Sequence, residues 1–142
     1  MDRELTENDK KKLFLKSYLR DKQAVIRIEE QLAELRLSKL SPSVSTGDGM
    51  PHGSSMTDLS DYAARVDGLE RELMRKRYNR IQSFQKVQAS IEELEDETEK
   101  SLLTYRYLIG MQWETIAVKM KYSWRTIHYI HSRALEHLEI CA

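Results

Sequence analysis

Residues 102–138 read LLTYRYLIGMQWETIAVKMKYSWRTIHYIHSRALEHL, and the spacing of their apolar side chains is typical of short helices with wide buried faces. Gly110 suits the end of one helix because glycine adopts left-handed backbone geometry without steric cost. Ser123 suits the start of another, where its hydroxyl can accept a hydrogen bond from a free backbone N–H. The pattern therefore predicts three helices, at about Asp96–Ile109, Trp113–Met120 and Trp124–Leu138.

The last two of these helices have the spacing of a helix-turn-helix. Residues 121–123 make a three-residue turn, and Ala117 before it is small enough for two helices to cross closely. The expected core of the motif consists of Trp113, Ile116, Ala117, Met120, Ile127, Ile130, Ala134 and Leu135. We expect this small domain to cover residues 96–142.

Two long, charged helices are predicted upstream, at residues 1–40 and 58–95. Their apolar residues form narrow, heptad-like seams that need a partner helix. The seams consist of Phe14, Tyr18, Val25, Ile28, Leu32 and Leu35, and of Tyr62, Val66, Leu69, Leu73, Ile81, Phe84, Val87, Ile91 and Leu94. The two helices could pair as an antiparallel hairpin or as a coiled coil between chains. Because such a pair is marginally stable alone, we expect a homo-oligomer, with a dimer favoured.

Residues 41–57, SPSVSTGDGMPHGSSMT, separate the long helices. Twelve of these seventeen residues are Ser, Thr, Gly or Pro, which is too polar a composition to nucleate a helix. We interpret the segment as a flexible loop. A loop that binds a partner or a ligand is the alternative.

The composition excludes several classes of protein. Five glycines and two prolines in 142 residues are too few for turn-rich sandwiches or barrels. No apolar run reaches the roughly 18 residues of a membrane span, and a single cysteine, Cys141, allows no disulfide within the chain. We therefore expect an all-α cytoplasmic protein. The net charge is zero, but residues 100–142 carry six basic against three acidic residues, so this part is compatible with nucleic acid.

No motif for catalysis or for a cofactor is present. The sequence has neither a glycine-rich phosphate loop nor a nucleophile elbow, so we do not expect an enzyme. The residues His128, His131, His137 and Cys141 could in principle bind zinc. Because no paired-cysteine or His-Glu-x-x-His pattern accompanies them, we expect no metal.

Residues 102–138 resemble the DNA-binding fourth region of sigma-70-type factors. That region also has, in order, a tyrosine-rich helix, a glycine bend, a W-x-x-IA helix and an S-x-x-x-I…RAL-x-x-L recognition helix. The whole chain is similar to late-gene transcriptional regulators of phages and prophages of Gram-positive bacteria, which share a charged helical N-terminal half and a break resembling GMPHGSS (49–55). The resemblance implies an activator of phage packaging or morphogenesis genes that binds double-stranded DNA.

Two residues depart from the family pattern. Lys121 stands in the turn where glycine is usual, and left-handed geometry costs a non-glycine residue about 1 kcal/mol. Gln112 stands where Ser or Thr usually caps the helix, and glutamine caps less well. Both departures weaken the turn.

A recognition helix at 124–138 would bring the outward face of its first turns into the major groove. The candidates for base contacts are Trp124, Arg125, Thr126, His128 and Tyr129. The candidates for phosphate contacts are Lys119, Lys121, Ser123, Ser132 and Arg133. Arg125 is the strongest base-contact candidate because a guanidinium can donate to both O6 and N7 of guanine.

Two other functions fit the same sequence. A small terminase subunit also combines a helix-turn-helix with coiled-coil parts, and it binds DNA for packaging as a ring of many subunits. Alternatively, the helix-turn-helix could bind host RNA polymerase without contacting DNA bases. The sequence favours the transcriptional regulator but does not exclude these two.

Overall fold

The computed structural model describes residues 4–40 and 55–140, and every regular element within them is a helix. The fold is all-α, with two long helices followed by a small helix-turn-helix domain. In chain order, the elements are α1 (Glu7–Leu40), α2 (Ser55–Glu92), α3 (Glu97–Leu103), a π-helical segment (Thr104–Ile109), α4 (Trp113–Met120) and α5 (Trp124–His137). No helix among the described residues has both the length and the apolarity needed to cross a membrane.

The long helices begin and end close to the predicted residues. A reciprocal cap starts α1: the Thr6 N–H donates to Asp9 Oδ2 at 3.2 Å, and the Asp9 N–H donates to Thr6 Oγ1 at 3.1 Å. Helix α2 begins at Ser55, three residues before the predicted boundary at 58, and ends at Glu92 rather than 95. The remainder of the predicted 41–57 loop lies outside the described residues.

Residues Gln23–Tyr78 make one compact unit, which we call the central unit. Its core consists of the buried residues Val25, Ile28, Leu32 and Leu73, against which Val66 and Leu69 pack. Two ion pairs cross between the helices, from Arg36 to Glu70 at 2.5 Å and from Arg77 to Glu29 at 3.3 Å. Because later residues of α1 pair with earlier residues of α2, these stretches run antiparallel within one chain.

The other compact unit joins Met1–Lys22 with Asn79–Ala142, and we call it the terminal unit. This grouping differs from the predicted division at residue 96. Leu15 of α1 and Val87 of α2 are completely buried in the same core as the helix-turn-helix. Lys11 also reaches α5, where its Nζ donates to the Leu135 carbonyl at 2.7 Å. The first turns of α1 are therefore part of the terminal unit because their apolar and cationic side chains complete it.

The first helix of the domain is predicted as one α-helix, but it changes to π-helical geometry halfway. Asp96 caps its start, since its Oδ1 accepts from the N–H groups of Thr98 at 2.8 Å and Glu99 at 3.2 Å. The Tyr105 carbonyl then accepts a hydrogen bond from the N–H of Gly110, five residues later, at 3.0 Å, which is the spacing of a π-helix. Gly110 ends the segment with φ +87°, as the sequence predicts.

Candidate nucleic-acid interface

The turn between α4 and α5 is held by backbone hydrogen bonds. Lys121 has the left-handed dihedrals φ 61° and ψ 39°. Its N–H donates to the Val118 carbonyl at 3.3 Å, and the Tyr122 N–H donates to the Ala117 carbonyl at 3.0 Å. This pair of bonds is the Schellman arrangement that satisfies the last carbonyls of a helix. The lysine therefore adopts the strained geometry that the sequence predicts for it.

The two helix starts differ in how they are capped. Ser123 caps α5, since its Oγ accepts from the Thr126 N–H at 3.1 Å. The same hydroxyl donates to Thr126 Oγ1 at 2.9 Å, so both side chains are fixed at the start of α5. Gln112 precedes α4 and makes no side-chain capping bond. Side-chain hydrogen bonds therefore stabilise the start of α5, whereas the start of α4 has no side-chain cap and is stabilised by packing alone.

The predicted core residues of the motif divide into two groups. Ile116, Ile127, Ala134 and Leu135 are buried in the core of the terminal unit. Trp113, Ala117, Met120 and Ile130 are partly buried and pack against that core. All eight therefore lie on the inner side of the helix-turn-helix.

Most of the predicted DNA-contact residues lie on the opposite, outer side. The exposed ones are Trp124, Arg125, Tyr129, Lys119, Lys121, Ser123, Ser132 and Arg133. Thr126 is half-buried, and its Oγ1 accepts a hydrogen bond from the Ser123 hydroxyl. Arg125 forms no hydrogen bond or ion pair within the described parts of the chain, so its guanidinium keeps all its donors available. Most of these residues lie on the turn and α5, whereas Lys119 lies on α4.

Three of the exposed residues, Lys119, Tyr129 and Arg133, contact neighbouring side chains. Arg133 Nη1 donates to the Tyr129 hydroxyl at 3.4 Å, and its guanidinium lies 5.8 Å from the centre of that ring. Lys119 Nζ lies 4.9 Å from the centre of the Tyr105 ring. These contacts reduce the freedom of the cationic side chains but leave the charges at the surface.

His128 does not lie with the exposed candidates. Its imidazole packs 3.9 Å from the ring centre of Trp124 and 4.7 Å from that of Trp113. Its Nε2 atom is buried and has no hydrogen-bond partner among the described residues. We therefore correct its predicted position from the outer face to the space between the two tryptophans.

His131 is fully inside the terminal unit, where its Nε2 lies 2.7 Å from the Tyr107 hydroxyl. Burial lowers the pKa of His131 to about 4, and the positive charges of Lys12, His128, Arg106 and Lys16 act in the same direction. Burial likewise raises the pKa of Tyr107 to about 12, against the opposing effect of Arg106. At neutral pH, the pair is therefore an uncharged hydrogen bond that ties the π-helical segment to α5.

Cationic residues from outside the helix-turn-helix also lie next to it, although no motif in the sequence indicates them. Lys12 and Lys16 of α1 face the domain, as does Arg106 of the π-helical segment. Arg106 Nη1 donates to the Met111 carbonyl at 2.9 Å, and its guanidinium lies 4.5 Å from the centre of the Trp113 ring. The only sequence signal for α1 is the run DKKK at 9–12, which is indistinguishable from a solvated helix face.

Two of the three histidines considered as zinc ligands, His131 and His137, form hydrogen bonds with other side chains. His137 Nδ1 lies 3.0 Å from both carboxylate oxygens of Glu99, which is buried. His131 is bonded to Tyr107, and Cys141 lies outside the described residues. Within residues 4–40 and 55–140, no group of three or more His, Cys, Asp or Glu residues could hold a metal ion.

Comparisons with known proteins return no match for this chain. No family model matches it, and neither a curated protein nor a solved structure is significantly similar to it.

Proposed function

We propose that the chain binds duplex DNA sequence-specifically, with the first turns of α5 in the major groove. The observation that carries this proposal is the exposed Arg125 at the start of α5, next to a helix-turn-helix whose turn and cap are fully bonded. A rigid turn supports base recognition because it fixes the direction in which the arginine leaves the helix. The inner faces of both helices are buried in the core, so the outer face is the one available to DNA.

The exposed residues fall into two expected roles. Arg125 donates to guanine, while Trp124 and Tyr129 make apolar or hydrogen-bonding contacts with neighbouring bases. Lys121 and Arg133 contact phosphates, which position the protein without distinguishing sequences. Lys119, Ser123 and Ser132 extend the phosphate contacts along the same face. His128 is expected to contribute by packing against the ring of Trp124 rather than by contacting a base.

The biological role that best fits this binding is transcriptional regulation in a bacterial cell. The resemblance of residues 102–138 to the fourth region of sigma-70-type factors supports a regulator that activates phage late genes at a promoter. Such a regulator acts next to host RNA polymerase, which is therefore a proposed partner.

Self-association is part of this proposal. The central unit exposes large apolar side chains, among them Leu37, Leu59 and Met74. A second copy of the chain is the proposed partner for these side chains, and a dimer would bind two half-sites about one helical turn apart. Sedimentation analysis tests this proposal: a mass of two chains supports it, whereas a ring of many subunits would indicate a packaging protein.

The DNA-binding proposal is tested with fluorescent duplexes tiled across the promoter regions of the genome that encodes the chain, over a series of salt concentrations. We expect one fragment to bind tightly and its affinity to fall steeply with salt. Arg125→Ala should weaken binding to that fragment about 5- to 150-fold, which corresponds to roughly 1–3 kcal/mol.

Arg75→Ala is the matched control because it removes the same charge from an exposed position in the central unit. It should change the affinity little. Weak binding that is equal for all fragments would contradict sequence-specific recognition and favour a module that contacts polymerase alone.

A further inference from the structure

The terminal unit contains a small cavity, of about 230 Å³, behind the outer face of α5. Helix α1, the π-helical segment, α4 and α5 all contribute to its wall. Its polar lining consists of three cations, two imidazoles and a phenol, from Lys12, Lys16, Arg106, His128, His131 and Tyr107. None of the lining residues has a carboxylate, so the positive charge of the cavity is not neutralised from within.

Lys12 and Lys16 lie four residues apart on α1 and therefore on the same face of the helix. Neither forms a hydrogen bond or ion pair with any described residue. Lys10 on the same helix differs from them, because its Nζ lies 3.5 Å from Glu7 Oε1. Two unpaired ammonium groups on one side of a cavity are therefore available to an anion.

Arg106 is fixed in position rather than free. One of its N–H groups donates to the Met111 carbonyl, and Trp113 covers the face of the guanidinium. A guanidinium has five N–H donors, so several remain for a further acceptor. Because the side chain is already ordered, little conformational entropy is lost when these donors bind an anion.

His128 also lines the cavity, and its ring packs between Trp113 and Trp124. Its Nε2 is buried and has no hydrogen-bond partner in the described parts of the chain. Buried side-chain nitrogen atoms are rarely left unpaired in folded proteins. An oxygen of an anion in the cavity would accept a hydrogen bond from this nitrogen when it carries the proton.

We propose that this cavity binds a phosphate-type oxyanion. A tetrahedral phosphate offers several oxygens to donors on different elements, and the cationic residues that line this cavity belong to α1 and the π-helical segment. The ammonium groups and the guanidinium supply the charge, and the imidazole of His128 supplies a further N–H. The site does not depend on the proposed DNA binding. Its ligand could be a free phosphorylated molecule or a backbone phosphate of DNA, since α5 carries both His128 and Arg125.

The test follows the imidazole nitrogen signals of His128 and His131 by NMR while inorganic phosphate replaces sodium chloride at constant ionic strength. We expect saturable shifts of both signals. Phosphate should also raise the pKa of His131, because it offsets the repulsion from Lys12, Lys16, Arg106 and His128, while the Tyr107 hydroxyl stays neutral.

The double variant Lys12→Gln/Lys16→Gln should weaken phosphate binding at least about tenfold, because two charge-assisted bonds are lost. Lys10→Gln/Lys22→Gln removes two charges from the same helix outside the cavity and should retain binding. Thermal unfolding checks that both variants fold. Shifts that do not saturate, or that are the same in the cavity variant and in the wild type, would overturn the proposal.

Duplex DNA added to the phosphate-saturated protein distinguishes the two sources of the ligand. Displacement of phosphate by DNA assigns the site to the DNA backbone, whereas unchanged histidine signals assign it to a free phosphorylated molecule. Arg125→Ala lies outside the cavity and should leave phosphate binding intact. Phosphate binding by a chain that binds no DNA would therefore refute the proposed function and support the oxyanion site.

Discussion

The buried His131 makes the stability of the terminal unit depend on pH. In the unfolded chain its imidazole titrates at about 6.5, whereas burial and the nearby cations lower its pKa to about 4 in the folded protein. Between these values the unfolded chain binds a proton that the folded chain does not. The free energy of unfolding therefore has its full value above pH 6.5 and falls as the pH falls toward 4.

The size of the effect follows from the difference between the two pKa values. From that difference, the free energy of unfolding should fall by about 3 kcal/mol once the pH is below 4. At pH 5 it should already be about 2 kcal/mol lower than at neutral pH. Urea unfolding followed by tryptophan fluorescence measures it directly, because Trp113 and Trp124 both belong to the terminal unit.

The control is His131→Gln, which keeps a polar group near Tyr107 but does not titrate. Carboxylates also gain protons below pH 5, but they contribute equally to the wild type and to the variant. The difference between the two proteins between pH 7 and 5 therefore isolates His131. If the wild type and the variant lose stability in parallel over this range, the explanation from burial is wrong.

Three further substitutions test the local physics of the fold. Lys121→Gly should raise the free energy of unfolding by about 1 kcal/mol, because glycine adopts the left-handed turn without strain; a lower value in urea unfolding would contradict this. Asp96→Ala should lower the free energy of unfolding by about 1 kcal/mol, because the side chain that caps α3 is lost. An unchanged free energy of unfolding in the same assay would contradict this. Leu15→Ala should lower it by about 2–5 kcal/mol, because the side chain is completely buried against the helix-turn-helix. The exposed Leu13→Ala is its control, and equal losses for the two leucines would show that α1 does not belong to this core.

Local chemistry explains which parts of the fold are predictable. Ser123 and Gly110 act through their own side chain or backbone, so their capping roles could be predicted from residue type and spacing alone. The left-handed geometry of Lys121 could be predicted only from its position, where helix-turn-helix motifs usually have glycine, and not from its residue type. Helix periodicity likewise located the long helices to within a few residues.

The features that could not be predicted depend on contacts between distant segments. Leu15 lies next to the predicted seam residue Phe14, and the seam pattern does not say which partner a helix has. Spacing alone gives His128 a surface position, but the rings of Trp124 from its own helix and Trp113 from α4 both pack against its imidazole. The cationic cavity combines Lys12 and Lys16 of α1 with residues between Arg106 and His131, and no local pattern records so distant a contact. The exposed candidate residues of α5 could therefore be predicted from the sequence, whereas the cationic cavity between α5 and α1 could not.

Selection from a pool of random duplexes tests most directly whether α5 recognises a DNA sequence. The wild-type chain should enrich one motif. The Arg125→Ala variant should enrich the same motif with relaxed preference at a single guanine-containing position. A wild-type selection that yields no motif, or an unchanged motif with the variant, would contradict the assignment of Arg125 and α5 to base recognition.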